Sequence, residues 1–183
     1  MKGIVFTEFL DMVEEKFGLE IADQMIAGCD LPSGGAYTAV GTYDHREIVQ
    51  LVVRLSDLSG VALPALLQAF GQHLFGRFVE RYPEMFDGIG DAFTFLQRIE
   101  SHIHTEVRKL YPDADLPEFD CSLQGPDELI MVYRSNRGMA DLAAGLIAGC
   151  AAHFRESLAI RREDLSSGAA SHVRFNIIRQ QQV

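Results

Sequence analysis

Residues 128–137 run Glu-Leu-Ile-Met-Val-Tyr-Arg-Ser-Asn-Arg, a composition and alternation that are typical of a β-strand. Because successive side chains of a strand point to opposite faces, Tyr133, Ser135 and Arg137 project from one face. Met131 continues that face toward an apolar core. Two hydroxyls and a guanidinium in a row can donate hydrogen bonds to a carboxylate or a phosphate. The alternative interpretation is an edge strand whose polar end is solvated.

The segments on either side of this strand predict an α+β fold with a helical N-terminal part. Apolar residues recur at helical spacing up to Pro112, after which proline, glycine and aspartate break the chain repeatedly. The predicted helices cover residues 3–17, 19–28, 44–58, the run from Pro64 to the Tyr82-Pro83 step, 92–110 and 139–157, and the further strands cover residues 158–161 and 172–179. Asp44 and Asp91 are the expected N-caps. We therefore expect a smaller C-terminal part with an antiparallel sheet.

The composition excludes several classes of protein. The chain has 183 residues, a formal net charge of −10 and 48% hydrophobic residues. This length fits one domain. The acidic balance argues against binding to nucleic acid or to an anionic membrane surface, since both recruit Lys and Arg. No apolar run approaches the ~20 residues of a membrane span, and the N-terminus turns acidic too early for a signal peptide. A cytoplasmic location is expected.

Neither the cysteines nor the known short motifs predict an enzyme active site. Cys29, Cys121 and Cys150 are widely spaced without a Cys-x-x-Cys pair, so we expect buried free thiols and no cysteine zinc site. The sequence contains no P-loop, Gly-x-Gly-x-x-Gly, His-Glu-x-x-His or Gly-x-Ser-x-Gly motif. No pair of carboxylates stands out as a general acid and a general base.

Two histidines on the predicted helix 92–110 are candidate metal ligands. Ile103 lies at the centre of the apolar stripe, so His102 and His104 lie ~100° to either side of it, each half facing the core. A pair at i, i+2 cannot chelate one metal from a helix. Each histidine is therefore either a hydrogen-bonded core residue or a single axial ligand to the metal of a large cofactor. Helical periodicity does not choose between the two.

Small residues at helical spacing mark the predicted helix 139–157. Gly145, Ala148, Gly149 and Ala152 allow a close approach by another backbone or by a flat ligand. Tight helix packing is the favoured interpretation.

The spacing of three of these features resembles that of a known family. Twelve residues separate His104 from Pro117, and fifteen more precede Tyr133, which opens a Tyr-x-Ser-x-Arg motif. The joint spacing resembles the signature of H-NOX domains, the haem-based nitric oxide and oxygen sensors related to the haem domain of soluble guanylate cyclase. The resemblance covers essentially the whole chain and includes its opening Met-Lys-Gly, the Phe70-Gly71 step and the Met139 and 145–147 segments.

The resemblance implies a cofactor and an arrangement of two subdomains around it. A helical distal subdomain would cover residues 1–60, a proximal subdomain residues 61–183, and haem b would lie between them. His104, and not His102, would ligate the iron. Tyr133, Ser135 and Arg137 would hold the haem propionates, and Pro117 would press on the porphyrin. Some bacterial relatives carry a Cys/His zinc cluster in the C-terminal subdomain, but residues 161–173 contain no cysteine, so no structural zinc is expected.

The resemblance also directs attention to the distal pocket. Relatives that hold dioxygen stably use a distal tyrosine on the helix after the Tyr-x-Ser-x-Arg motif, and the matching position here is Leu142. Leu74 stands where some oxygen binders have a polar partner. The other residues expected in the apolar wall are Val5, Phe9, Phe78 and Leu146. Dioxygen gains from a hydrogen-bond donor, whereas nitric oxide and carbon monoxide need none, so this pocket favours nitric oxide.

The function implied is that of a bacterial-type sensor, not an enzyme, which binds nitric oxide and also carbon monoxide at ferrous haem. Nitric oxide would weaken the trans iron–histidine bond, and the resulting movement would signal to a separate protein such as a histidine kinase or a cyclic-di-nucleotide enzyme. Two alternatives are a peroxidase-like haem enzyme, for which His73 is the distal candidate, and a protein-interaction module without a cofactor.

Overall fold

The computed structural model describes residues 1–168 and 170–180. Its elements confirm the α+β class. The helices are α1 (Gly3–Phe17), α2 (Leu19–Ala27), α3 (His45–Ser59), α4 (Leu63–Arg81), α5 (Ala92–Gln97), α6 (His104–Leu110) and α7 (Ala140–His153), and the strands are β1 (Glu118–Leu123), β2 (Glu128–Ser135), β3 (Leu158–Asp164) and β4 (Ser171–Arg179). A 3₁₀ turn covers Pro83–Phe86, and a π-helical turn covers Ile99–Ile103.

The four strands form one antiparallel sheet in the order β1-β2-β4-β3. Tyr133 on β2, one of the two central strands, lies opposite Phe119 on β1 and Val173 on β4. Leu129 and Met131 point to the buried face of the sheet, as the alternation on β2 predicts. The antiparallel sheet is therefore confirmed, with one strand more than the sequence predicted.

Both predicted aspartate caps are present. The Asp44 side chain accepts a hydrogen bond from the backbone N–H of Arg46 at 2.9 Å, and the Asp91 side chain accepts one from the backbone N–H of Thr94 at 3.0 Å. Each cap satisfies an N–H group that has no partner inside its helix. These contacts begin α3 and α5 where the sequence places them.

The predicted helix 92–110 is wrong as a single element. The chain leaves α-helical geometry after Gln97, passes through the π-helical turn and resumes as α6 at His104. A π turn holds more residues than an α turn, so it rotates the side chains beyond it relative to those before it. The apolar stripe consequently loses its register, and Leu110 at its end is 57% exposed.

Other predicted bounds also differ from the structure, and the strand predicted over residues 128–137 ends at Ser135. Helix 139–157 ends at His153, and the strand predicted over residues 158–161 continues to Asp164. Strand β1 was not predicted, because prolines, glycine and acidic residues surround it. Its alternation of Phe119, Cys121 and Leu123 is the signal that identifies it.

Two hydrophobic cores share the long helix α4. The first half of α4 contributes Leu66, Phe70 and Leu74 to a core with α1, α2 and α3. Beginning at Phe75, the helix joins a second core with α5, α7 and the inner face of the sheet. The two cores meet where α4 packs on α7, and this helix pair supports the cavity described below.

Small residues set the distance between α4 and α7. A Cβ atom at Gly145 would overlap the backbone carbonyl oxygen of Gln68, and one at Gly71 would overlap the backbone of Leu142 and Leu146. Gly145 of α7 therefore serves helix packing, whereas Ala152 on the same helix is exposed. No single described helix is long and apolar enough to span a membrane, and α3 and α4 reach that length only as a pair bent by 115°.

Candidate functional site

An apolar cavity of about 280 Å³ lies between the helices α1, α4 and α7 on one side and the segment from α5 to β2 on the other. Most of its wall comes from aliphatic and aromatic side chains. The residues on the side of α1, α4 and α7 include Ile4, Val5, Leu74, Phe75, Phe78, Leu142, Ala143, Leu146 and Ile147, and those opposite include Ile99, Ile103, His104, Val107, Leu116, Pro117, Phe119, Met131 and Tyr133. A flat apolar ligand would find few polar groups here.

His104 begins α6 and forms part of the cavity wall. It is 8% exposed, while His102 is exposed to solvent. The imidazole Nδ1 of His104 lies 2.9 Å from Oε2 of Glu100, one turn earlier in the chain. The structure therefore separates the two histidines that periodicity left equivalent, and it brings only His104 to the cavity.

The surroundings of His104 favour a neutral imidazole with one nitrogen free. Burial lowers the pKa of His104 below its usual value, although the Glu100 carboxylate opposes that shift. Burial would raise the pKa of Glu100, but hydrogen bonds from Arg108 and His104 keep it below its ordinary value. An ionised carboxylate only accepts hydrogen bonds, so Nδ1 carries the proton. Nε2 then has an unshared electron pair, which is the state that binds a metal.

The polar row on β2 reaches the same cavity. Tyr133, Ser135 and Arg137 all line it, with Tyr133 only 3% exposed and Arg137 in the turn after the strand. Burial raises the pKa of Tyr133, so its hydroxyl stays protonated at neutral pH and can donate a hydrogen bond. The Ser135 hydroxyl accepts a hydrogen bond from the backbone N–H of Arg137 at 3.2 Å, which closes the turn.

The guanidinium of Arg137 already binds one carboxylate of the protein. Its Nη2 donates to Oδ2 of Asp115 at 2.6 Å and to the Asp115 carbonyl oxygen. The Arg137 side chain is 12% exposed and that of Asp115 is 83% exposed, so this ion pair lies at the mouth of the cavity. Since a guanidinium has five N–H donors, a second carboxylate can bind beside Asp115. Pro117 follows two residues later and also lines the cavity.

Five of the six residues expected in the distal wall line the cavity. They share an apolar side chain and lie on α1, α4 or α7: Val5, Leu74, Phe78, Leu142 and Leu146. Phe9 is the exception among the described residues. It has no exposed surface and packs edge-to-face on Phe70 at 5.0 Å between ring centroids, inside the first core. The expectation that Phe9 lines the pocket is therefore corrected.

Hydroxyl groups enter the wall at one further place. Tyr82 follows the last residue of α4, Tyr111 follows that of α6, and both line the cavity. Burial, and then a hydrogen bond with Tyr111, raises the pKa of Tyr82.

Two functional candidates were missed by the sequence reasoning. Glu100 lies four residues before His104, and a carboxylate at i−4 from a histidine is a signal that could have found it. Asp115 gives no such signal, because it lies in an irregular segment and meets Arg137 only in the folded chain. His73, the distal candidate of the peroxidase alternative, is not among the cavity residues in the described part of the chain.

The donor set fits a flat metal macrocycle that carries carboxylates. It combines one neutral imidazole, an apolar slot and a row of hydroxyl and guanidinium donors at the mouth. Within residues 1–168 and 170–180, no three His, Cys, Asp or Glu side chains form a group that could hold a bare metal ion.

Comparison with known proteins agrees with this geometry. The family model described as haem-NO-binding matches residues 2–162. An unliganded Fe(II) H-NOX protein from K. algicida is 40% identical and superposes with a TM-score of 0.93, covering 100% of this chain and 98% of that one. An H-NOX from Shewanella woodyi, solved with IWP-051 bound in the Fe(II)CO state, is 42% identical with a TM-score of 0.83 over 98% and 95% of the chains.

A third structure shows a nitric oxide state. The H-NOX protein from S. oneidensis in the Fe(II)NO ligation state is 27% identical with a TM-score of 0.90, covering 99% of this chain and 100% of that one. A search of curated proteins found no match.

Proposed function

Because the chain belongs to the haem-NO-binding (H-NOX) family of haem-based gas sensors, we propose that it binds nitric oxide at a ferrous haem b and signals to a separate protein. The observation that carries the proposal is the position of His104, a buried imidazole that lines an apolar cavity and whose Nδ1 is held by Glu100. The related structures in Fe(II)NO and Fe(II)CO states support the choice of gases.

The residues that would hold the haem lie on three sides of the cavity. His104 would supply the axial nitrogen, and Tyr133, Ser135 and Arg137 would donate hydrogen bonds to the propionates. Pro117 would press on the porphyrin face. When bound, haem would supply an iron that can bind a diatomic gas.

The apolar distal wall determines which gas is favoured. Dioxygen draws more electron density from a metal than nitric oxide or carbon monoxide does, so it gains more from a hydrogen-bond donor. Leu142 and Leu74 offer no donor, and Val5, Phe78 and Leu146 are equally apolar. These five side chains therefore offer no hydrogen bond to bound dioxygen. Nitric oxide needs no such hydrogen bond, so its binding is not weakened in this pocket.

Contacts at the edge of the cavity offer a route for the signal. Lys2, at the start of α1, donates a hydrogen bond to Thr42 at 2.8 Å and forms an ion pair with Asp113 at 3.3 Å. Thr42 also donates to Asp113 at 2.8 Å. Asp113 follows α6, so a shift of the His104 helix is passed to the N-terminal subdomain through these side chains. Ligand binding would then bias two arrangements of the subdomains.

The output would pass to a protein partner in the cytoplasm, for which a histidine kinase or a cyclic-di-nucleotide enzyme is the family-typical class. The acidic net charge of −10 suits a docking surface for a protein and disfavours nucleic acid and membranes. The proposed role is sensing and not catalysis.

The decisive experiment is an absorption series on the haem-reconstituted, reduced protein. We expect a Soret band that shifts on addition of nitric oxide and of carbon monoxide, and no stable oxygenated spectrum in air. The variant His104→Gly should lose haem and recover its spectrum with free imidazole, while His102→Gly should behave as wild type. Absence of a Soret band after reconstitution, or peroxide turnover well above that of free haem, would reject the proposal.

A further inference from the structure

We propose that Glu100 is a positioning residue for His104, which holds the imidazole in one orientation and strengthens its bond to the haem iron. This inference rests on the proposed function, because it concerns His104 as the axial ligand. Glu100 is not among the cavity residues in the described part of the chain, so it acts only through His104.

Three contacts from two parts of the chain fix the Glu100 carboxylate. Oε2 accepts hydrogen bonds from Nδ1 of His104 at 2.9 Å and from the backbone N–H of Phe119 at 3.4 Å. Oε1 accepts one from Nη2 of Arg108 at 3.1 Å. Both oxygens are occupied, and β1 contributes one of the donors, so the carboxylate cannot follow the imidazole if the ring turns.

The contact between Glu100 and His104 spans a backbone irregularity, the π-helical turn over Ile99–Ile103. The backbone N–H of Ile103 donates to the carbonyl oxygen of Arg98 at 3.1 Å, a bond spanning five residues. Glu100 lies within this widened turn, and His104 begins the α-helix that follows. Single π turns inside α-helices occur frequently at functional sites. Here His104, directly after the turn, lines the cavity, whereas Glu100, within the turn, does not.

The chemical effect follows from the charge of the partner. A carboxylate that accepts a hydrogen bond from the outer nitrogen of a ligating histidine fixes the tautomer and raises the basicity of the inner nitrogen. A more basic nitrogen binds iron more strongly. His104 should therefore resist displacement when a gas binds at the opposite coordination position. Removing the carboxylate should make that displacement easier.

The test compares Glu100→Gln and Glu100→Leu with a matched control. Gln retains the shape and a neutral acceptor oxygen, whereas Leu retains only the bulk. The control is Glu106→Gln on α6, since Glu106 pairs with Lys109 at 2.6 Å and is separate from the Glu100 contacts. In the reduced haem protein, the iron–histidine stretching frequency in resonance Raman spectra should fall from wild type to Gln to Leu. Glu106→Gln should match wild type.

Two further readouts separate this role from simple destabilisation. Transfer of haem to apomyoglobin should be about tenfold faster in Glu100→Leu than in wild type, and its nitric oxide complex should contain a larger five-coordinate fraction. In the haem-free protein, ¹⁵N NMR should show His104 protonated at Nδ1 in wild type and a mixture of tautomers in Glu100→Leu. If Glu100→Leu does not fold, the isosteric Gln variant alone decides the frequency test.

The outcomes distinguish the two proposals. If wild type shows an iron–histidine band that His104→Gly removes, but both Glu100 variants keep the wild-type frequency, the role of Glu100 is refuted while the haem site stands. If wild type binds no haem, the proposed function itself fails.

Discussion

His104 and Glu100 face each other one turn apart, with 2.9 Å between the imidazole Nδ1 and the carboxylate Oε2. This contact commits one ring nitrogen to the protein and leaves the other for the cavity. The orientation of the ring is therefore set by the folded chain before any ligand arrives. Arg137 is held in a similar way, since its guanidinium donates to Asp115 at the cavity mouth and keeps other N–H groups for a ligand.

Replacing Arg137 by Met should weaken haem binding, because the variant loses the charged donor that we propose for a propionate but keeps an unbranched stem. A hydrogen bond to a charged group contributes about 1.5–3 kcal/mol, so haem loss should accelerate about tenfold to a hundredfold. Arg134→Met is the matched control, since Arg134 is an exposed residue on the opposite face of β2. Haem transfer to apomyoglobin measures both. Equal rates in the two variants would contradict the assignment of Arg137.

Strand alternation can predict which side chains share one face of a strand. The period of two on β2 places Tyr133 and Ser135 on one face, and Arg137, predicted to continue that row, reaches the same cavity from the turn after the strand. Asp115 could not be found in the same way, because it belongs to an irregular segment without a period. Alternation predicts the face on which a side chain projects, whereas the partner across a loop depends on the tertiary fold.

Replacing Leu142 by Tyr should convert the pocket into one that holds dioxygen. The Leu142 side chain lines the cavity together with Leu146 and Leu74, so a tyrosine there places a hydroxyl donor among apolar side chains. We expect a stable oxygenated spectrum and dioxygen dissociation slowed about tenfold or more. Leu142→Phe introduces the same ring without the hydroxyl and should not stabilise dioxygen. If Phe and Tyr act alike, the size of the side chain and not hydrogen bonding controls the gas.

Helical periodicity predicts side-chain positions only while the α-helix continues, and here α5 ends at Gln97. Counting from Ala92 at 3.6 residues per turn places His102 and His104 symmetrically about Ile103, and only the family resemblance separated them. The π turn over Ile99–Ile103 changes the phase, so His104 is buried and His102 is exposed. A backbone irregularity of this kind has no signal in residue type. The choice between the histidines therefore could not come from periodicity.

Replacing Gly145 by Ala should destabilise the protein by about 1–3 kcal/mol, because the new methyl group has no space beside the Gln68 carbonyl oxygen. Gly76 lies on the exposed side of α4 with nothing near its Cβ position. Gly76→Ala should instead stabilise the protein by about 0.5–1 kcal/mol, since alanine favours the helix. Urea unfolding measures both variants. Equal effects would show that α4 and α7 can separate without cost.

Replacing Asp91 by Asn should produce a loss of stability that depends on pH. Burial raises the pKa of Asp91, but hydrogen bonds from Thr94 and the nearby charge of Arg179 outweigh it and leave the pKa below its ordinary value. A carboxyl whose pKa is lowered on folding contributes stability above its unfolded pKa of about 3.9 and loses that contribution as the pH falls through the folded value. The contribution of Asp91 should therefore be complete at pH 7 and decline below about pH 4.

Asn retains a good helix cap but lacks the charge that pairs with Arg179 at 2.6 Å. Because Asp91 is partly exposed, we expect the variant to be less stable by about 0.5–1 kcal/mol at pH 7 and to approach wild type near pH 3. Denaturant unfolding at both pH values measures the difference. Asp23→Asn, at an exposed position on α2, is the control and should have little effect at either pH. A deficit of the same size at pH 3 would mean that the amide disturbs the cap itself and that the ion pair with Arg179 adds no stability.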